Sequence, residues 1–237
     1  MSGSSQSTQV KKIDVFAINK YVFALYKKYF WAIVIVGIVD TIPQVENYFL
    51  SSADPTDRVQ FPLEFVLANV LGILITAVTT STLLWFLDHR EHGKKLTLWL
   101  AFKQASPYIL LIFLASIFVS IISIIGLLFL IVPGIILSIM FSQVVPFMIL
   151  KKQKIKEAVS SSISLTKGNR WALFRAYGQI WVLGIMLFVL TEPLHSQFAN
   201  MFVVISYIES IFLGTLGILV TYAIWHFLHS EHHKDVS

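Results

Sequence analysis

No cysteine occurs among the 237 residues, which removes disulfides, thiolate nucleophiles and every Cys-based metal or redox centre. Charge is also scarce, at 13% of residues against about 25% in an ordinary soluble domain. From Gln104 to Leu150 there is no charged residue at all. In its place are 56% hydrophobic residues, among them 19 Phe, 8 Tyr and 6 Trp, and a mean hydropathy of +0.75. A soluble core at this length cannot absorb so much apolar surface. Disordered chains, collagen-like repeats, disulfide scaffolds and ordinary cytosolic enzymes are excluded. The composition predicts an all-α polytopic membrane protein.

A helical span needs about 20 mostly apolar residues. The uncharged run is far longer than that, so it must fold back on itself. The turn falls between Gly126 and Gly134, with Pro133 in the favoured first-turn position of the returning helix. Six transmembrane helices follow, at about 29–50, 65–87, 109–125, 133–149, 171–190 and 202–228, with Pro43 either ending or kinking the first. They form a single domain over residues 11–230, after a disordered polar N-terminus (1–10) and before a cytoplasmic tail (231–237).

The basic residues alternate with these spans. Seventeen of the 18 lysines and arginines fall on one side, 16 of them in the first, third, fifth and last non-spanning segments and Arg175 just inside the fifth span, and only Arg58 lies opposite. Glu46, Asp54, Asp57, Glu64 and Glu192 occupy the other side. The positive-inside rule then places both termini in the cytoplasm. Met1–Val10 lacks the apolar region of a cleavable signal, and Ser2 stands where a myristoyl acceptor glycine is needed.

Each odd-numbered span follows a basic, partly amphipathic stretch: Lys11–Lys28, Leu96–Gln104 and Ile155–Thr166. In the third, Ile155, Val159 and Ile163 recur on one helical face. Such helices lie among headgroups, with lysines reaching anionic lipid and aromatics such as Tyr29-Phe30-Trp31, Tyr108 and Trp171 marking the boundary. The chain thus divides into three units of one interfacial helix and one two-span hairpin, without residue-level identity between them. Stripes of small residues (Gly134, Ser138, Ser142; Ser116, Ser120, Ser123; Gly72, Thr76, Thr79, Thr80) suit close helix packing, and a hydroxyl-lined path would use the same residues.

Two ionisable groups fall away from the span ends, Asp40 and Glu209, both toward the outer leaflet. Without a neighbouring lysine or arginine, paired carboxylates would hold a proton or a cation. The plainer reading makes them partly hydrated carboxyls bonded to neighbours such as Thr41 or Ser206. His226, His229 and His233 share a helical face and are a weak metal candidate, against the simpler role of imidazoles at a helix carboxyl end. No phosphate loop, His-Glu-x-x-His or Gly-x-Ser-x-Gly motif is present. The expectation is a protein that is not an enzyme, uses no cofactor and contacts no nucleic acid. Its expected partners are membrane lipids, with anionic headgroups on the cytoplasmic face; protein partners are undefined.

Ala105-Ser106-Pro107, Val132-Pro133-Gly134-Ile135-Ile136, Pro146, the run Ser160–Thr166 and Lys167-Gly168-Asn169-Arg170 together resemble the YciC-type family of bacterial inner-membrane proteins. The same order resembles the membrane domain of some glycerophosphodiester phosphodiesterases. The likeness covers about residues 96–175, and its motif positions are Pro133, Gly134, Pro146, Ser162, Asn169 and Arg170. It implies a multi-pass protein of the bacterial inner membrane. It also implies no hydrolase activity, since the catalytic barrel of the phosphodiesterases has no counterpart in this sequence. The expected function is the non-enzymatic organisation of lipid or partner proteins. The alternative is a small ion-coupled transporter or channel using Asp40 and Glu209.

Overall fold

The computed structural model describes residues 13–52, 62–129, 131–197 and 199–229. Expectations for residues 1–10 and 231–237 lie outside these. Ten α-helices and one 3-10 turn make up the described residues, with no strand among them. Five helices are long and apolar enough to cross a membrane, and six if one bent pair counts as a single span.

That pair is α1 (Val15–Lys28) and α2 (Phe30–Ser52). Asp14 caps α1 by accepting the Phe16 N–H at 2.9 Å. Lys27 and Lys28 suit its carboxyl end. At Tyr29 the backbone leaves helical geometry and the chain turns through 92° into α2. Pro43 lies inside α2, which continues to Ser52, so the proline does not end the helix. α3 (Pro62–Glu91) returns and stops before Gly93, whose φ of +77° suits glycine.

The second interfacial element departs from expectation. α4 (Leu98–Ala105), capped by Thr97, passes through the 3-10 turn Ser106–Tyr108 into α5 (Ile109–Phe129). Leu98–Gly126 is effectively one apolar helix of 29 residues. Pro107 sits within the tightened turn and leaves the helix direction without a sharp bend. At 1.5 Å per residue this rod is about 43 Å long and exceeds a hydrocarbon core of about 30 Å.

The fourth expected span is among the five membrane-length helices, as Val132–Leu150, and carries a local break. α6 (Ile131–Phe141) and α7 (Val144–Leu150) are separated at Ser142-Gln143. Pro146 explains the break, because it donates no N–H and its ring crowds the carbonyl four residues back. α8 (Ile155–Thr166) matches the expected third interfacial helix residue for residue. Gly168, at φ +88°, turns the chain into α9 (Arg170–Gln197), and α10 (Ala199–His229) completes the bundle.

The hairpins α2–α3, α5–α6 and α9–α10 alternate with the short helices. Each short helix packs on the last helix of the preceding unit: α4 on α3, α8 on α6 and α7, and α1 on α10, which closes the ring. A side-chain hydrogen bond pins each contact. Trp85 Nε1 donates to Gln104 Oε1 at 2.6 Å, Ser162 Oγ donates to the Met140 carbonyl at 2.6 Å, and Tyr26 and Thr215 share a 3.1 Å bond. This cyclic relation is the three-unit organisation expressed in space.

The best-packed core lies at the end carrying these elbows. Ile18, Leu25, Leu83, Leu84, Leu87, Met148, Ile149, Leu173, Leu219 and Tyr222 are fully buried there. Toward the other end the helices present apolar side chains outward, including Leu63, Val66, Ile124, Ile185, Val189 and Val204. Apolar exposure on this scale is compatible with a multi-pass membrane protein.

Candidate functional site

Asp40 is half-buried on α2 and faces both neighbouring helices. The Thr79 hydroxyl of α3 donates to its Oδ1 at 2.7 Å, and its Oδ2 lies beside Gly214 of α10, where an added Cβ would stand 3.2 Å away. Its partner is therefore not the neighbouring Thr41, which donates to the Ile38 carbonyl. Thr79 lies a full α3–α2 crossing away in sequence, which local spacing could not reveal. Glu209, also half-buried, precedes Gly214 by five residues, about 7.5 Å along α10. Among the described residues no hydrogen bond or ion pair joins the two carboxylates. Neither lines the two cavities described below.

The histidines are occupied with rings. His226 stacks on Tyr21 with centroids 4.9 Å apart, and His229 stacks on Trp225 at 4.6 Å. His233 lies outside the described residues. Among those described, no three His, Cys, Asp or Glu side chains gather at metal-binding distance.

The motif positions are architectural. A Cβ on Gly126 would come within 2.9 Å of the Gly134 Cα, so this glycine pair lets α5 and α6 approach closely, beside Pro133 in the first turn of α6. Pro146 creates the helix break, and Ser162 of α8 fills it. Ser162 donates to the Met140 carbonyl and accepts the Gln143 N–H at 3.2 Å. Asn169 Oδ1 accepts the Ile13 N–H at 3.0 Å, tying the chain before α1 to the α8–α9 turn. Arg170 opens α9.

A polar cluster at the elbow end was not foreseen from sequence. Glu91 Oε1 accepts from Lys28 Nζ and Tyr29 OH, each at 2.8 Å, and its Oε2 accepts from Tyr21 OH at 3.0 Å. Glu91 lies one turn beyond Leu87, where the apolar run of α3 ends, so it stands at the margin of any membrane-spanning segment. Partial burial alone would push its carboxyl up. The bonds from Lys28, Tyr29 and Tyr21 outweigh that and hold it below the usual carboxylate range. The sequence hint was Glu91 closing a span opposite the Tyr- and Lys-bearing face of α1.

Around the same end, Phe16, Trp99 and Trp171 are each about 70% exposed or more. Lys27 lies over the Phe23 ring at 4.5 Å, and Lys152 over Trp85 at 5.9 Å. Two cavities open on the sides of the bundle. One of about 140 Å³ lies between α6 and α9, lined by Ser138, Ser142, Tyr177 and Trp181 among others. The other, about 240 Å³, lies between α1, α9 and α10.

No family model, curated protein or solved structure matches this chain.

Proposed function

We propose that this chain is a non-enzymatic, multi-pass protein of a bacterial inner membrane, YciC-like in architecture, with both termini cytoplasmic. In this reading it organises lipid at its elbow end. The supporting observation is the gathering, at one end, of α1, α4, α8, their lysines and a set of outward-facing aromatics. A basic, aromatic-rimmed end above an apolar bundle suits an anionic leaflet. Reconstitution into vesicles containing fluorescent phosphatidylglycerol tests it. The protein should cluster that lipid, as self-quenching, and salt should weaken the effect. Absence of clustering at any salt concentration contradicts the proposal.

A second reading, ion-coupled transport through Asp40 and Glu209, is favoured by the firm hold of Thr79 on a carboxylate within the bundle. Gradient-dependent cation or proton flux, lost in Asp40→Asn and Glu209→Gln, would establish it. Flux unaffected by both changes, or none, removes this ion site.

A further inference from the structure

The cavity between α1, α9 and α10 has a chemical polarity of its own. Its lining includes one exposed amide pair, Asn19 Nδ2 donating to Gln179 Oε1 at 2.8 Å. Both amides are otherwise open: Gln179 keeps its two N–H donors and Asn19 its carbonyl oxygen. The rest of the lining is largely apolar, with Val22, Phe23, Ile180, Leu183, Leu216 and Val220. The Tyr26–Thr215 hydrogen bond joins α1 to α10 beside this cavity, with Tyr26 in its lining.

Cations neighbour this lining. Lys27 stands over Phe23, itself a wall residue, and Arg175 is exposed one turn before Gln179 on the same stripe of α9. Lys20 follows Asn19 on the outer side of α1. Among the described residues none of these three cations has a carboxylate at ion-pair distance. Lys28, on the opposite flank of α1, is the lysine that Glu91 takes. Exposed cations, an open amide pair and an apolar throat thus meet at one cavity, matching the three parts of an anionic phospholipid: phosphate, ester carbonyls, acyl chain.

We propose that this groove holds one anionic phospholipid, its phosphate on Lys27 and Arg175, its glycerol esters at Asn19 and Gln179, and an acyl chain between α9 and α10. The site rests on the membrane reading above and gives it a specific ligand. A lipid bound here would also fix the angle at which α1 meets the bundle, because α1 forms one wall.

The test is native mass spectrometry of the full chain, delipidated and re-exposed to phosphatidylglycerol or phosphatidylcholine. One retained phosphatidylglycerol is expected, in preference to phosphatidylcholine. The pair Lys27→Glu and Arg175→Glu should lower its retention about tenfold. Leu183→Trp, which narrows the throat, should lower retention of either lipid. Lys94→Glu, in the exposed loop between α3 and α4, makes the same charge change away from the groove and should leave retention unchanged. Circular-dichroism melting of each variant separates loss of the site from loss of the fold. Equal retention by the folded charge variants and the parent overturns the site. So does retention without headgroup preference, or a groove filled by a second copy of the chain, seen as a lipid-free dimer. Vesicle clustering distinguishes the two levels: if it persists while the groove variants retain lipid, only the groove assignment falls.

Discussion

Ser162 on α8 stands in the gap between α6 and α7, where its hydroxyl accepts the Gln143 N–H at 3.2 Å and donates to the Met140 carbonyl at 2.6 Å. Pro146 breaks the helix there, and a fully buried serine from the elbow helix restores what the break removes. The elbow is thereby part of the bundle's hydrogen bonding.

Ser162→Ala leaves the Met140 carbonyl and Gln143 N–H without this partner in a buried place. The expected loss is about 1–3 kcal/mol of stability, read as a lowered melting temperature in detergent. An unchanged melting temperature would show that the break is satisfied in another way.

Gly37 and Gly217 make an informative pair on facing helices. A Cβ on Gly37 would meet Ile211 Cγ2 at 2.7 Å and the Ile211 carbonyl at 2.9 Å, whereas Gly217 has open space. Gly37→Ala should force α2 from α10 and destabilise by about 1–3 kcal/mol. Gly217→Ala should be neutral or stabilise by up to ~1 kcal/mol, since alanine favours helix. Equal effects on melting temperature would contradict the α2–α10 contact.

The Glu91 cluster makes stability depend on pH. Its carboxyl titrates below the usual range when folded, so its contribution is complete above the ordinary glutamate value and is lost as pH falls through the folded value. Melting in detergent should drop by a few degrees across that acidic window. Glu91→Gln should lower the melting temperature near neutral pH and flatten this acidic dependence. A profile unchanged by the substitution contradicts the assignment.

For Asp40, the two readings predict different pairs of results. Asp40→Asn keeps a carbonyl oxygen for the Thr79 hydroxyl, so stability should change by under about 1 kcal/mol, while Thr79→Val should cost about 1–3 kcal/mol. Thermal melts check both. A structural role moves only the melting temperatures, and an ion site also abolishes flux.

Much of this architecture was readable from charge and hydropathy. The uncharged run from Gln104 to Leu150 demanded a hairpin, and α5 and α6 form it with Gly126 against Gly134. The apolar spacing of Ile155, Val159 and Ile163 located α8. What escaped was long-range pairing. Thr79 with Asp40, Asn19 with Gln179 and Tyr21 with Glu91 lie far apart in sequence, and periodicity says which face a residue takes but not which helix meets it. The continuous run of α4 into α5 was hidden for a local reason. Ser106-Pro107 suggests a break, yet the tightened turn carries the helix onward.

The central claim is that the elbow end lies at the headgroups of an anionic leaflet, with the remaining bundle in hydrocarbon. Spin labels on single cysteines in this Cys-free chain measure that depth directly, by power saturation with oxygen and a water-soluble relaxer in phosphatidylglycerol vesicles. Labels at Phe16 and Trp99 should report headgroup depth, one at Lys156 the aqueous boundary, and one at Ile185 the hydrocarbon. Water-like accessibility at Ile185, or hydrocarbon depth at Lys156, would contradict the account.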